Sequence, residues 1–413
     1  MTGAGAAQKL GAGRYSEVDR TVPGSVVTSV HDLATVDGAR VTGVLRVPAG
    51  ARTAVTIMHP RQDVTHHVLV PQLLRDGYAV WTQGPRSPNN DLGLIHEQAL
   101  LDFAAGHVLL REGGFGQVVS LGHSGGATLA AFYCQQARLA PDGRLTAAPS
   151  GRPVPLAEAE MPRPDGVVFL APHPGQGALL QRVIDPSVTD EADPLSVDPE
   201  LDPFNPANGF RDAPASSRYP AEFITRYRAA QADRVRRIDA AAAALVTDSQ
   251  QANRAFKGGG RAADRRRALA PRLTTVYRTD ADLRNTDLSL DPNQRPYGSL
   301  FGRRPDLTNY GLVGFGRLST AEAWMSTWSA TTTNADFLRC APGVTVPTLL
   351  LEFTGDQASF PADIAAFRTA LAADDLTVAP VPGTHFGGPA GPGAPPGHEL
   401  AGSVIAGWLS ARF

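Results

Sequence analysis

Residues 118–128 read VVSLGHSGGAT. An apolar run suited to a buried strand stops abruptly at Gly122-His123-Ser124-Gly125-Gly126, and a small-residue helical pattern opens with Ala127, Leu129, Ala130 and Ala131. Few local patterns constrain a fold so tightly. A serine held at a tight strand-to-helix turn sits in a strained backbone conformation, and the flanking glycines remove side chains that would strike the neighbouring strand and helix. Its hydroxyl then stands clear, where a base and a carbonyl carbon can reach it. A glycine-rich turn with an incidental serine would need neither the strand before it nor the helix after it, so the flanks make Ser124 a candidate nucleophile.

A serine hydroxyl is a poor nucleophile alone, so the reading predicts a general base and an orienting acid further along the chain. Residues 347–353 (PTLLLEF) form an apolar strand that breaks into Thr354-Gly355-Asp356-Gln357, which sets Asp356 just past the strand's C-terminal end. Open α/β sheets place functional groups there. Residues 377–381 (TVAPV) give a short final strand, followed by a loop that carries His385. Taken singly, an Asp in a turn is usually a turn-former and a His in a glycine-rich loop is usually solvated. The order Ser, Asp, His, each at a strand end, favours a catalytic triad. A further strand, residues 165–171, ends in Pro172-His173-Pro174-Gly175 and offers no carboxylate, which supports Asp356 as the acid.

With these motifs the chain resembles the α/β-hydrolase superfamily over most of its length, and GHSGG, a long insertion and TGDQASFP together look like a group of bacterial members. The resemblance implies a mostly parallel central sheet flanked by helices. It also implies an oxyanion hole partly built by the loop after the third strand, residues 54–58. That loop reads His59-Pro60-Arg61-Gln62-Asp63, and Pro60 stands where a glycine is usual and has no N–H. The backbone N–H of Arg61, or else of Gln62, is therefore expected to act with that of Gly125.

At 413 residues the chain has room for a core with an inserted cap. The reading divides it into an N-terminal tail (1–22), a core (23–174 and 344–413) and a mainly helical cap (175–343). Strands are expected at residues 25–30 and 41–47, joined by a hairpin at Asp37-Gly38, and at 78–82; helices are expected around 68–75 and 92–111. In the cap, where proline, aspartate and arginine become frequent, residues 220–243 read as a helix and Gly258-Gly259-Gly260 as a break. Phe301, Tyr310, Phe315, Trp324, Met325 and Trp328 are candidate pocket-wall residues, with Trp324, Trp328, Tyr310 and Phe315 foremost. Each taken separately fits the cap's own core better.

A net charge of -2 excludes an overall basic drive toward nucleic acid or anionic lipid. The two cysteines, Cys134 and Cys340, imply no disulfide framework and read as buried thiols. No stretch approaches the roughly 20 apolar residues of a membrane span, and the N-terminus lacks a signal-like apolar region, so the expected location is cytoplasmic. His66, His67, His96, His107 and His173 lack metal-site spacing; neither metal nor cofactor is expected, and His123 is assigned to packing. Cap arginines that grip an anionic substrate are set against a simpler reading as solvated ion-paired faces. Homo-oligomerisation is left open.

The expected chemistry is acyl transfer to water on a small to medium apolar or aromatic ester. Lactone, thioester, peptide and C–C hydrolysis use the same groups. The alternative from another class is a non-catalytic fold of this kind that binds a small molecule or a protein.

Overall fold

The computed structural model describes residues 21–88 and 91–413, so all but the last two residues of the expected N-terminal tail lie outside the described residues. In chain order the main sheet contains β1 (Val27–Ala34), β2 (Arg40–Val47), β3 (Thr53–Met58), β4 (Ala79–Gln83), β5 (Gln117–His123), β6 (Gly166–Leu170), β7 (Thr348–Phe353) and β8 (Leu376–Val381). The helices that frame it are α1 (Val70–Arg75), α2 (His96–Glu112), α3 (Gly125–Arg138), α4 (Gln176–Val183), α5 (Ala221–Lys257), α6 (Pro361–Ala370) and α7 (Gly397–Ser410).

The spatial order is β1-β2-β4-β3-β5-β6-β7-β8. β2 runs antiparallel to both its neighbours, and every pairing from β4 to β8 is parallel. The Asp-Gly hairpin expected between β1 and β2 is present, with Gly38 at φ 82°. Parallel strands need crossovers, which here place helices on both faces and bury every residue of β3, β4 and β6. The pleat then divides the apolar side chains between two layers. Val167 and Phe169 of β6 pack toward α2, α3 and α6 with Phe103, Phe132 and Phe367, whereas Val168 and Leu170 pack toward α1 and α7 with Leu73, Ile405 and Trp408.

Between β6 and β7 the chain builds a body with its own core, in which Leu179 and Leu180 of α4 meet Val235 and Ile238 of α5 and Phe301, Trp324 and Trp328. α5 outruns the sequence expectation. It continues past residue 243 to Lys257 and stops where Gly258 accepts the role of C-cap. Helices dominate the regular structure of this body, and a two-stranded ribbon (Leu273–Thr275 with Leu318–Thr320) and long irregular stretches complete it.

Candidate active site

β5 delivers Ser124 in a conformation that few non-glycine residues adopt, φ 56° and ψ -121°. The neighbouring glycines allow it. A Cβ on Gly122 would lie 2.5 Å from the Ala127 Cα, and one on Gly126 2.6 Å from the Met58 carbonyl oxygen, so any larger residue would force β5, α3 and β3 apart.

Asp356, one turn beyond β7, and His385, in the loop after β8, converge on that serine. His385 Nδ1 lies 2.9 and 2.8 Å from the two Asp356 carboxylate oxygens, and Nε2 lies 2.8 Å from Ser124 Oγ. A carboxylate only accepts, so the imidazole proton sits on Nδ1 and Nε2 is left to accept from the serine hydroxyl. The backbone N–H groups of Ala358 and Ser359 also donate to Asp356 Oδ1, at 2.7 and 3.0 Å, and fix the carboxylate's orientation. Asp356 and His385 are each 1% exposed, whereas Ser124 is half-buried and reachable.

A second layer of histidines holds the loop of the base. His123 Nε2–H donates to the His385 carbonyl oxygen (2.8 Å), which leaves its Nδ1 to accept from His67 Nε2–H (3.0 Å). His123 must be neutral for this chain to form, and the His67 Nδ1 accepts the Leu69 N–H, which suits a neutral ring there too. Burial holds His123 down to about 4 and His67 well below the ordinary histidine value, and the charge of a neighbouring histidine pushes each the same way. His123, assigned to packing from sequence alone, thus has a directional partner.

The expected oxyanion contribution of the loop after β3 is overturned. Behind Pro60 the chain folds back, and the N–H groups of both Arg61 and Gln62 donate to His59 Nδ1 at 3.0 Å. Neither is available to a substrate oxygen. The Arg61 side chain turns away as well, bidentate to Asp91 at 2.6 and 2.5 Å, with its guanidinium 4.8 Å from the Trp328 ring and 5.4 Å from that of Phe315. Gly125, the other expected donor, opens α3 directly after the serine.

The pocket-wall expectation is also corrected. Trp324 and Trp328 are fully buried in the core of the inserted body, Phe315 packs on Trp328 and Phe301, and Trp324 Nε1–H donates to Asp239. An aromatic pattern in sequence gives apolar area without saying which way it faces. Tyr310 lines a different cavity of about 410 Å³ with Arg278, Leu312 and Leu318, which contains no part of the Ser124 cluster. The arginines of the inserted body pair with carboxylates, as Arg234 with Glu191, Arg284 with Asp282 and Arg267 with Asp248, but only the last lies on a solvated face, whereas Arg234 and Arg284 are buried.

Sequence reasoning missed a group of polar side chains beside Gly125. His59 Nε2, His173 Nε2 and Gln176 Nε2 lie 2.9, 3.1 and 2.4 Å from where a Cβ on Gly125 would stand. The signal lies at the end of β6, where His173 stands in the strand-end position that sequence reasoning weighs for a carboxylate and for metal spacing alone. Among the described residues no group of three or more His, Cys, Asp or Glu is placed to hold a metal ion, and no helix is long and apolar enough to cross a membrane.

No family model matches the chain, and no curated protein matches it. Solved structures similar to it include DcsB in complex with its substrate analogue (12% identity, TM-score 0.49, 94% of this chain and 99% of that one). Two others are the α/β hydrolase GrgF from Penicillium sp. sh18 (10%, 0.48, 94% and 99%) and Est1E from Butyrivibrio proteoclasticus (11%, 0.45, 93% and 98%). The strand order, the antiparallel β2 and the elbow after β5 decide the fold. It is an α/β-hydrolase fold. In its terms, Ser124, Asp356 and His385 follow the fifth, seventh and eighth strands, and the inserted body leaves the sheet after the sixth.

Proposed function

We propose that the protein is a serine hydrolase that cleaves a carboxylic ester through an acyl-enzyme. The observation that carries this reading is the continuous hydrogen-bond chain from the Asp356 carboxylate through the His385 ring to Ser124 Oγ, ending on a serine held at positive φ. His385 Nε2 takes the serine proton as Oγ attacks the carbonyl carbon, and Asp356 stabilises the imidazolium that forms. The same nitrogen returns the proton to the departing alkoxide, and water then repeats the sequence on the acyl-enzyme. Esters lead the candidate substrates because an alkoxide leaves more readily than an amine.

The inserted body serves in this reading as a cap. Asn293 Nδ2–H donates to the Asp356 carbonyl oxygen and Gln357 Nε2–H to the Gly298 carbonyl oxygen, so it is fastened beside the acid, while Trp328 backs the loop after β3. A fluorophosphonate probe tests the chemistry directly. Ser124 should be labelled in the wild type and nothing should be labelled in Ser124→Ala, with p-nitrophenyl acetate turned over by the first and not by the second. A folded wild-type protein that resists the probe and leaves the ester intact would return the fold to a binding role.

A further inference from the structure

An oxyanion needs at least two well-aimed donors, and only Gly125 remains of the two backbone groups expected here. The structure offers a replacement from a side chain. His173 follows β6 after Ala171, a non-glycine residue at φ 43°, and this bend turns its ring back toward the elbow. Its Nδ1 accepts the Gly175 backbone N–H at 3.0 Å, so the proton of the neutral ring is on Nε2. That Nε2–H has no hydrogen-bond partner among the described residues. It lies 3.1 Å from the position a Gly125 Cβ would take, beside the residue whose N–H is the first donor. Any side chain on Gly125 would fill the space between the two.

On the serine-hydrolase reading above, we propose that the second oxyanion donor is the Nε2–H of His173. When Ser124 Oγ bonds to the carbonyl carbon, the C=O π pair moves onto oxygen and the serine proton passes to His385 Nε2. His173 keeps its own proton throughout and gives a hydrogen bond only. The charge pairs again into C=O as the alkoxide leaves with the proton from His385. A donor in this role must be neutral, since a charged ring would release acid to the intermediate. Burial holds the His173 ring well below the ordinary histidine value, and the nearby charges of His385, Arg61, His96 and Arg182 push it the same way.

The surroundings suit a charge that appears only in the transition state. His59 has its tautomer set in the same manner, with Nδ1 accepting two N–H groups, so its Nε2 also carries the proton, 2.9 Å from the same point. Gln176, 1% exposed, lies against the His96 ring, and neither of its amide atoms meets hydrogen-bond geometry with a described residue. Preorganised dipoles of this kind act strongly where water is excluded.

The test is the steady-state hydrolysis of p-nitrophenyl acetate by His173→Phe and His173→Gln beside wild type and Ser124→Ala. Loss of the donor in the phenylalanine variant should lower kcat by about 10²–10³-fold with KM little changed. The glutamine variant, which restores an N–H, should recover part of that loss. A phenylalanine variant that folds and keeps kcat within about threefold, while Ser124→Ala is silent, overturns the assignment and leaves the serine mechanism standing. Activity retained by Ser124→Ala would instead remove the mechanism itself. Wild-type protein labelled with ¹⁵N-histidine supplies a readout independent of variant folding. The His173 Nε2–H resonance should move downfield when an aryl boronic acid forms its tetrahedral adduct on Ser124, and an unmoved resonance in a formed adduct refutes the proposal.

Discussion

Ser124→Ala and His385→Ala each remove a group that the proposed first step cannot do without, and kcat should fall about 10⁴-fold or more in either. Asp356→Asn is subtler. The amide keeps the shape, but it presents an N–H where His385 Nδ1–H and two backbone N–H groups now find an acceptor, so the imidazole is pressed toward the wrong tautomer. A loss of about 10²–10⁴ in kcat with an unchanged melting temperature is expected. Wild-type turnover by the asparagine variant would show that the acid lies elsewhere. The convergence of these three side chains could be expected from the sequence because each follows an apolar strand and the strand ends share one edge of the sheet. The oxyanion partner could not. It depends on where two N–H groups point after a proline, and a chain that folds back on a histidine ring has the same letters as one that does not.

At the scale of elements, the loop after β8 owes its position to a bond from a neighbouring elbow. His123→Leu removes the donor to the His385 carbonyl and leaves the His67 ring without its acceptor. We expect kcat to drop about tenfold with KM nearly constant, because the base is then misplaced more often rather than removed. An effect on melting temperature alone would make His123 structural. The inserted body gives the opposite case. Trp324 is fully enclosed with its Nε1–H satisfied, so Trp324→Ala should cost about 3–5 kcal/mol of stability. Small and bulky esters should lose rate alike. A selective rise in KM for bulky esters alone would restore the tryptophan to a pocket wall. The length of α5 was hidden for a related reason: beyond residue 243 the apolar stripe thins to Val246 and Ala252, and periodicity falls silent while helix propensity continues.

For the whole molecule, buried histidines dominate the response to acid. Burial holds His96, His107 and His123 down to about 4, against about 6.5 in an unfolded chain. Their contribution to stability is therefore complete above about pH 6.5 and is lost as pH falls through 4. Asp280 works the other way. Burial raises it to about 6, so its contribution is present below the ordinary value of 3.8 and is lost as pH rises through 6. His67 and His173 act with these three histidines, whereas Glu97 and Asp102, raised by burial, act with Asp280; the histidines titrate across this whole range, and the melting temperature is expected to decline between pH 6.5 and 4. His107 donates to the Phe103 carbonyl and accepts from Ser120; a second proton leaves the first bond in place but removes the acceptor of the Ser120 hydroxyl and puts a charge in a buried site. His107→Gln should make the decline shallower; an equal slope in wild type and variant would show that this ring takes up its proton at no cost to the fold.

The inserted body leaves the sheet after Leu170 and returns at Thr348, on strands that are hydrogen-bonded neighbours. The two strands are parallel, with Thr348 opposite Val167 and Leu170 opposite Leu351, so the excursion starts and ends at opposite edges of the sheet, about 10 Å apart along the strands. Seen from the sheet, the whole excursion is one loop, and the entropy of closing a loop grows only with the logarithm of its length. Lengthening, trimming or exchanging it barely alters the account between folded and unfolded sheet, while the three reacting groups stay on strand ends that the excursion does not interrupt. On the serine-hydrolase reading proposed above, a lineage carrying this architecture could exchange the inserted body as a cassette and leave the arrangement around Ser124 untouched.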